Sequence, residues 1–182
     1  DGRRARPGVQ EVVRYVYYVH GFASSARSTK AAMFASRLGP AGFELRCPDF
    51  NEPAFETLTA SRMIGQLEAD LATLPPGPVA LIGSSLGGFV SFLVAVRQAK
   101  LAAAGRRPAQ WIDRMVLLAP ALDFGRTTYG SIDAAGIERW RATGRLDVFH
   151  YGDNRARHVG FALYEDAQQY DALAERTPVP TL

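Results

Sequence analysis

The sequence predicts an α/β domain: a three-layer, doubly wound, mainly parallel sheet carrying a small cap or insertion. Apolar, β-branched runs alternate with helix-period runs along most of the chain, the pattern of a parallel sheet covered on both faces. The run Leu81-Ile82-Gly83-Ser84-Ser85-Leu86-Gly87-Gly88-Phe89 joins an apolar strand through G-x-S-x-G to an apolar helix. With 182 residues, 47% of them hydrophobic, the chain is sized for one domain with a sizeable core. Residues 1–182 are read as that domain, with 1–11 as a flexible lead-in and about 124–174 as the cap.

Val12 to Val19 is β-branched and aromatic, a strand ending at His20-Gly21. Ser28 can cap a helix through about Leu38, with Ala31, Phe34 and Leu38 on one face and Gly39-Pro40 as the stop. Phe43 to Cys47 reads as a short strand. From about Thr57 to Leu74, apolar residues at Ala60, Ile64, Leu67, Leu71 and Leu74 describe an amphipathic helix, ended by Pro75-Pro76-Gly77-Pro78. Val79 to Ile82 is the next strand. The helix after Ser85 is apolar almost all round, which places it inside, against the sheet. Met115 to Leu118 is a further strand. Beyond Phe124 the alternation lapses, and a helix near Ser131 to Ala142, a hairpin from Leu146 to Leu163 and a helix from Tyr164 to about Ala174 are expected.

Composition excludes several classes of function. The net charge of +3 is mild, and Arg3, Arg4, Arg6, Arg106, Arg107, Arg155 and Arg157 are scattered without interleaved aromatics. A solvated surface accounts for them, and no nucleic-acid partner is expected. Cys47 stands alone, so no intrachain disulfide forms; it reads as a small, buried side chain rather than a nucleophile, and a cytoplasmic location is expected. No apolar run of the ~18–20 residues a membrane span needs is read, and the arginine-rich start lacks the apolar region of a signal peptide. Three histidines at unrelated spacings and no phosphate-binding glycine loop leave no metal and no cofactor expected.

G-x-S-x-G between strand and helix is a proposal about chemistry. Gly83 and Gly87 lack a Cβ and permit a sharp turn, which leaves the Ser85 hydroxyl exposed above the sheet as a candidate nucleophile. An acyl-transfer site also needs two backbone donors for the developing oxyanion. Those expected are the N–H of Leu86, just after the nucleophile, and of Phe22, in the loop that begins at His20-Gly21. Gly21 lets that loop approach, and His20 is expected to shape it. Ser84 is read as a packing or loop residue rather than the nucleophile.

These residues resemble the α/β-hydrolase superfamily. The segment His20-Gly-Phe-Ala-Ser-Ser-Ala-Arg-Ser-Thr-Lys-Ala31, with Pro48-Asp49-Phe50 and Gly83-Ser-Ser-Leu-Gly-Gly88, is similar to small bacterial esterases carrying H-G-F-x-S-S-x-x-S-x-K-A. The resemblance covers roughly residues 12 to 120. It implies a serine hydrolase acting on carboxylic esters or thioesters, with a small acyl ester or thioester as substrate. In that superfamily the acid and the His follow later strands. Pro178-Val-Pro-Thr-Leu182 looks like the lead-in to the acid's strand, so both residues are expected beyond Leu182 and the chain to be C-terminally incomplete. The weaker in-chain alternatives are Asp123 or Asp153 as acid, with His158 or His150 as base. Tyr129, Trp140, Phe149, Tyr151 and Phe161 would make the cap a cover for an apolar acyl or aryl group. The alternative function is a non-catalytic binding protein of the same fold, or an inactive fragment.

Overall fold

Alternation along each strand decides which side chains meet which helix layer. The computed structural model describes residues 14–126 and 132–182. Four strands, β1 (Arg14–Val19), β2 (Phe43–Arg46), β3 (Gly77–Ser84) and β4 (Gln110–Leu118), form one sheet in the order β2-β1-β3-β4, every pairing parallel. Val16 and Tyr18 of β1, with Ala80 and Ile82 of β3, face α1 (Thr29–Leu38), where Ala31, Phe34 and Leu38 cover them. Tyr17, Val19, Val79 and Leu81 point the other way, into the larger core under α2 (Ala60–Leu71) and α3 (Leu86–Ala103). On β4 the register shifts opposite Val79/Ala80, leaving Asp113 without a partner. That extra residue lets Ile112 and Met115, three apart, share the larger core.

Helices α1 and α2 start where a side chain satisfies one of their first N–H groups. Ser28 accepts from Ala31 N at 3.3 Å to open α1, and Thr59 accepts from Arg62 N at 3.1 Å to open α2. The expected start at Thr57 is corrected by that cap: Phe55–Thr57 form a separate 3₁₀ turn that buries Phe55. Leu86 to Val96 of α3 are buried apart from Phe92, as an all-round apolar helix requires. By length and composition α3 does reach what a membrane span needs, contrary to the sequence reading. More than half of it is buried inside the protein.

Between β4 and the C-terminal segment lie α4 (Ala134–Thr143), the antiparallel pair β5 (Arg145–His150) and β6 (Arg155–Gly160), and α5 (Ala162–Ala167). The hairpin forms its own two-stranded sheet. Ser131 and Tyr129 lie outside the described residues. The last helix is shorter than expected and ends at Ala167. Beyond it Tyr170 turns inward to reach Ser61 Oγ at 2.7 Å and the ring of Phe89 at 6.3 Å, and Ala172 is buried, positions a continued helix would not give them. Trp140 and Phe161 are cap core rather than cap lining: their rings meet edge to face at 5.6 Å and Trp140 Nε1 donates to Val159 O. At the end of the chain, Thr181 bridges Met115 in parallel, as a strand beside β4 would.

Candidate active site

Ser85 is the single residue between β3 and α3, and it carries the whole turn. Its φ of 51° and ψ of −118° lie where a side chain is rarely tolerated. The turn holds because its neighbours are small. A Cβ on Gly83 would stand 2.7 Å from Gly88 Cα, and one on Gly87 would stand 2.1 Å from Val19 O. Ser85 N–H donates to Leu118 O at 3.0 Å, and its carbonyl accepts from Gly88, Phe89 and Ala121 N–H. From Leu81 to Val90 every residue is buried except Ser85. Leu86 is the first residue of α3, so the helix offers its N–H no acceptor, and the positive end of the helix dipole lies at Ser85.

The loop after β1 arrives at the same place because β1 pairs with β3, Val19 opposite Gly83. A Cβ on Gly21 would be 3.3 Å from Ser85 Cβ and 3.1 Å from Ser84 O. His20 is buried beside it. Its Nδ1 donates to Gly21 O at 3.0 Å, while its Nε2 accepts from Phe50 N–H at 3.2 Å. Gly21 O and Phe22 N–H belong to one trans peptide unit and point in opposite directions. By holding the oxygen, His20 sets the direction of the Phe22 N–H.

Other residues of the H-G-F-x-S-S-x-x-S-x-K-A segment also have places. Ser28 caps α1, Ala31 packs on the sheet, and Lys30 Nζ donates to Ser84 Oγ at 3.3 Å. That bond occupies the Ser84 hydroxyl on the α1 side. Burial pushes the Cys47 thiol above its ordinary range, which disfavours the thiolate a nucleophile requires.

The in-chain candidates for acid and base lie on the hairpin and in the turn after β4. His150 is fully buried with both ring nitrogens engaged, Nε2 with Asn51 Oδ1 at 3.1 Å and Nδ1 with Asp153 N–H at 3.0 Å. His158 lies on β6, paired across the hairpin with Asp147. Asp153 is bound by Arg157 Nη1 at 2.7 Å, and this guanidinium holds its carboxyl below the usual range. Asp123 stands exposed in the turn after β4, where its carbonyl accepts from Arg126 N–H. Sequence reasoning missed Asn51, whose amide links Ser24 to His150. Its neighbours Pro48-Asp49-Phe50 were the available signal.

Solved structures share this fold at low identity. A protein from Agrobacterium vitis S4 superposes with a TM-score of 0.75 at 23% identity, covering 97% of this chain and 69% of its own. Est1E from Butyrivibrio proteoclasticus, solved with ferulic acid bound, gives 0.70 at 17%, covering 95% and 68%. The monoacylglycerol lipase of Paleococcus ferrophilus gives 0.65 at 16%, covering 92% and 70%. At these identities the likeness carries the fold. A search of curated protein sequences finds no match. The sheet order, the elbow at Ser85 and these neighbours give the chain an α/β-hydrolase fold. Residues 15–161 match the model of an uncharacterised protein family, UPF0227, and the chain belongs to that family.

Proposed function

We propose that the protein hydrolyses carboxylic esters or thioesters, with Ser85 as nucleophile. The observation that carries this reading is the backbone of Ser85, held at positive φ between β3 and α3 with Gly21 packed against it. The reading is supported by the fold it shares with Est1E, which binds ferulic acid, and with a monoacylglycerol lipase. In the reaction, Ser85 Oγ bonds to the acyl carbon while a histidine takes its proton. The former carbonyl oxygen gains the negative charge and is held by Leu86 and Phe22 N–H. The histidine then protonates the leaving alkoxide or thiolate, and water releases the acyl group by the same steps in reverse. His20 and His150 each have both nitrogens engaged. Neither can take the Ser85 proton without giving up one of these bonds.

The test is a fluorophosphonate probe followed by peptide mass analysis, with hydrolysis of p-nitrophenyl acetate in parallel. Labelling is expected on Ser85 and absent in Ser85→Ala, while Ser84→Ala retains it. Turnover in Ser85→Ala is expected to fall by about 10³-fold or more. Labelling elsewhere, or equal turnover in Ser85→Ala, ends the proposal. The engagement of His150 and His20 favours a second reading, a non-catalytic binder of acyl ligands. Saturable binding of a fatty or aryl acid, with no turnover or labelling in the full-length protein, would select it.

A further inference from the structure

The loop that carries Phe22 is held from outside at two consecutive carbonyls, and both attachments lead to the β5–β6 hairpin. Tyr151 N–H donates to Ala23 O at 2.8 Å. Asn51 Nδ2 donates to Ser24 O at 2.9 Å, and Asn51 Oδ1 accepts in turn from His150 Nε2. Because His150 Nδ1 accepts from Asp153 N–H, the ring proton lies on Nε2, as this chain of donors requires. The ring is also seated edge-on against Phe55, at 4.7 Å between centroids.

Two further observations show that this contact is shaped closely. Ala23 has φ 52°, a left-handed backbone that a residue with a Cβ adopts only where its surroundings hold it. The bond from Tyr151 falls on that same residue. On the hairpin, Gly152 lies so near the loop that a Cβ there would stand 2.7 Å from Ser25 Cβ and 3.0 Å from His150 Cε1. Behind the contact, Arg157 braces the hairpin. It binds Asp153, bonds Glu56 through two nitrogens at 3.0–3.1 Å, and lies over the Phe55 ring at 5.1 Å.

We propose that the β5–β6 hairpin is a strut for the oxyanion loop, with Asn51 and His150 as positioning residues for the acyl-transfer site. This rests on the reading of Ser85, Phe22 and Leu86 given above. Its physical basis is that an oxyanion donor acts through its distance to the developing charge. A misplacement of about 1 Å is enough to lower the rate about 100-fold while leaving ground-state binding intact. A hairpin that only packs on the domain would instead affect stability.

The test uses the full-length protein with Gly152→Ala, His150→Ala and the conservative His150→Gln. Each is measured for kcat and KM on p-nitrophenyl acetate and for amide hydrogen exchange at residues 21–25. Gly152→Ala and His150→Ala are expected to lower kcat about 10- to 100-fold with KM within about twofold. Exchange at 21–25 is expected to rise about tenfold or more while β3 keeps its protection. His150→Gln, whose amide can still donate to Asn51, is expected to retain most of kcat. Gly152 is exposed and lies outside the left-handed region, so the shift its Cβ forces falls on the loop contact at Ser25, and the variant is expected to fold even if His150→Ala does not. A folded Gly152→Ala with kcat within about twofold of the parent, a loss confined to KM, or unchanged exchange at 21–25 overturns the proposal. Equal turnover by Ser85→Ala overturns the acyl-transfer reading instead, and the exchange readout judges the strut without it.

Discussion

At the scale of single residues, the same substitution has opposite signs at two glycines. Gly87 faces Val19 O and His20 O, where a Cβ would stand 2.1 and 2.5 Å away. Those obstacles are backbone, so the strand or the helix has to move. Gly87→Ala is expected to lower stability by about 3 kcal/mol, the upper end of the usual overpacking range, measured by urea denaturation. Gly65 lies on the exposed side of α2, and no heavy atom approaches its hypothetical Cβ. Gly65→Ala should raise stability by about 0.5–1 kcal/mol, because alanine suits a helix interior better than glycine. A loss at Gly65 or no change at Gly87 would contradict this account. Residues of the elbow type are legible in a sequence because their requirement is local: strand, two glycines and helix lie within nine positions. The link between Asn51 and His150 is not, since 99 positions separate the two. Nothing in the immediate sequence of either residue announces the other.

At the scale of elements, the cap is fastened to the domain at the start of α2. Asp166 of α5 accepts from Ser61 N at 2.7 Å and from Ser61 Oγ at 2.6 Å, placing a carboxylate at the positive end of α2. Thr59 satisfies a neighbouring donor at the same end. Asp166→Ala removes a charged acceptor and should lower stability by about 2 kcal/mol, whereas Thr59→Ala should cost about 1 kcal/mol. Urea denaturation gives both values, and a smaller loss at Asp166 than at Thr59 would refute the assignment. These contacts also explain which boundaries were legible. The strands and the start of α1 followed from alternation and from Ser28, both local signals. Helix α5 ended early because Tyr170 and Ala172 find burial in the distant core, a gain that helical spacing does not contain.

At the scale of the whole molecule, stability should fall in two stages as the solution is acidified. Burial pushes the His150 pKa below its ordinary value of 6.5, partly offset by Asp153, with Arg157 and His20 adding to the depression and Asp49 opposing it. Below pH 6.5 the unfolded chain takes up a proton there that the folded protein does not. The contribution of His150 is thus fully present above 6.5 and diminishes as pH falls towards the folded pKa. The second stage belongs to carboxylates. Asp49 is lowered by His20 and Asn51 N–H, Glu56 by its own backbone N–H and Arg157, and Asp153 by Arg157. Their contributions are present above the ordinary carboxylate values, 3.8 for Asp and 4.5 for Glu, and are lost as pH falls through the folded values. Because His150, Asp153 and Arg157 all lie on the hairpin, the acid-sensitive part of the molecule is the part that touches the Phe22 loop. Melting curves should show Tm declining between pH 6.5 and 5, then more steeply below about 4.5. His150→Gln removes the titrating ring while keeping a donor for Asn51, so it should flatten the first stage and leave the second. An identical Tm slope between pH 6.5 and 5 in both proteins would show that the first stage does not come from His150.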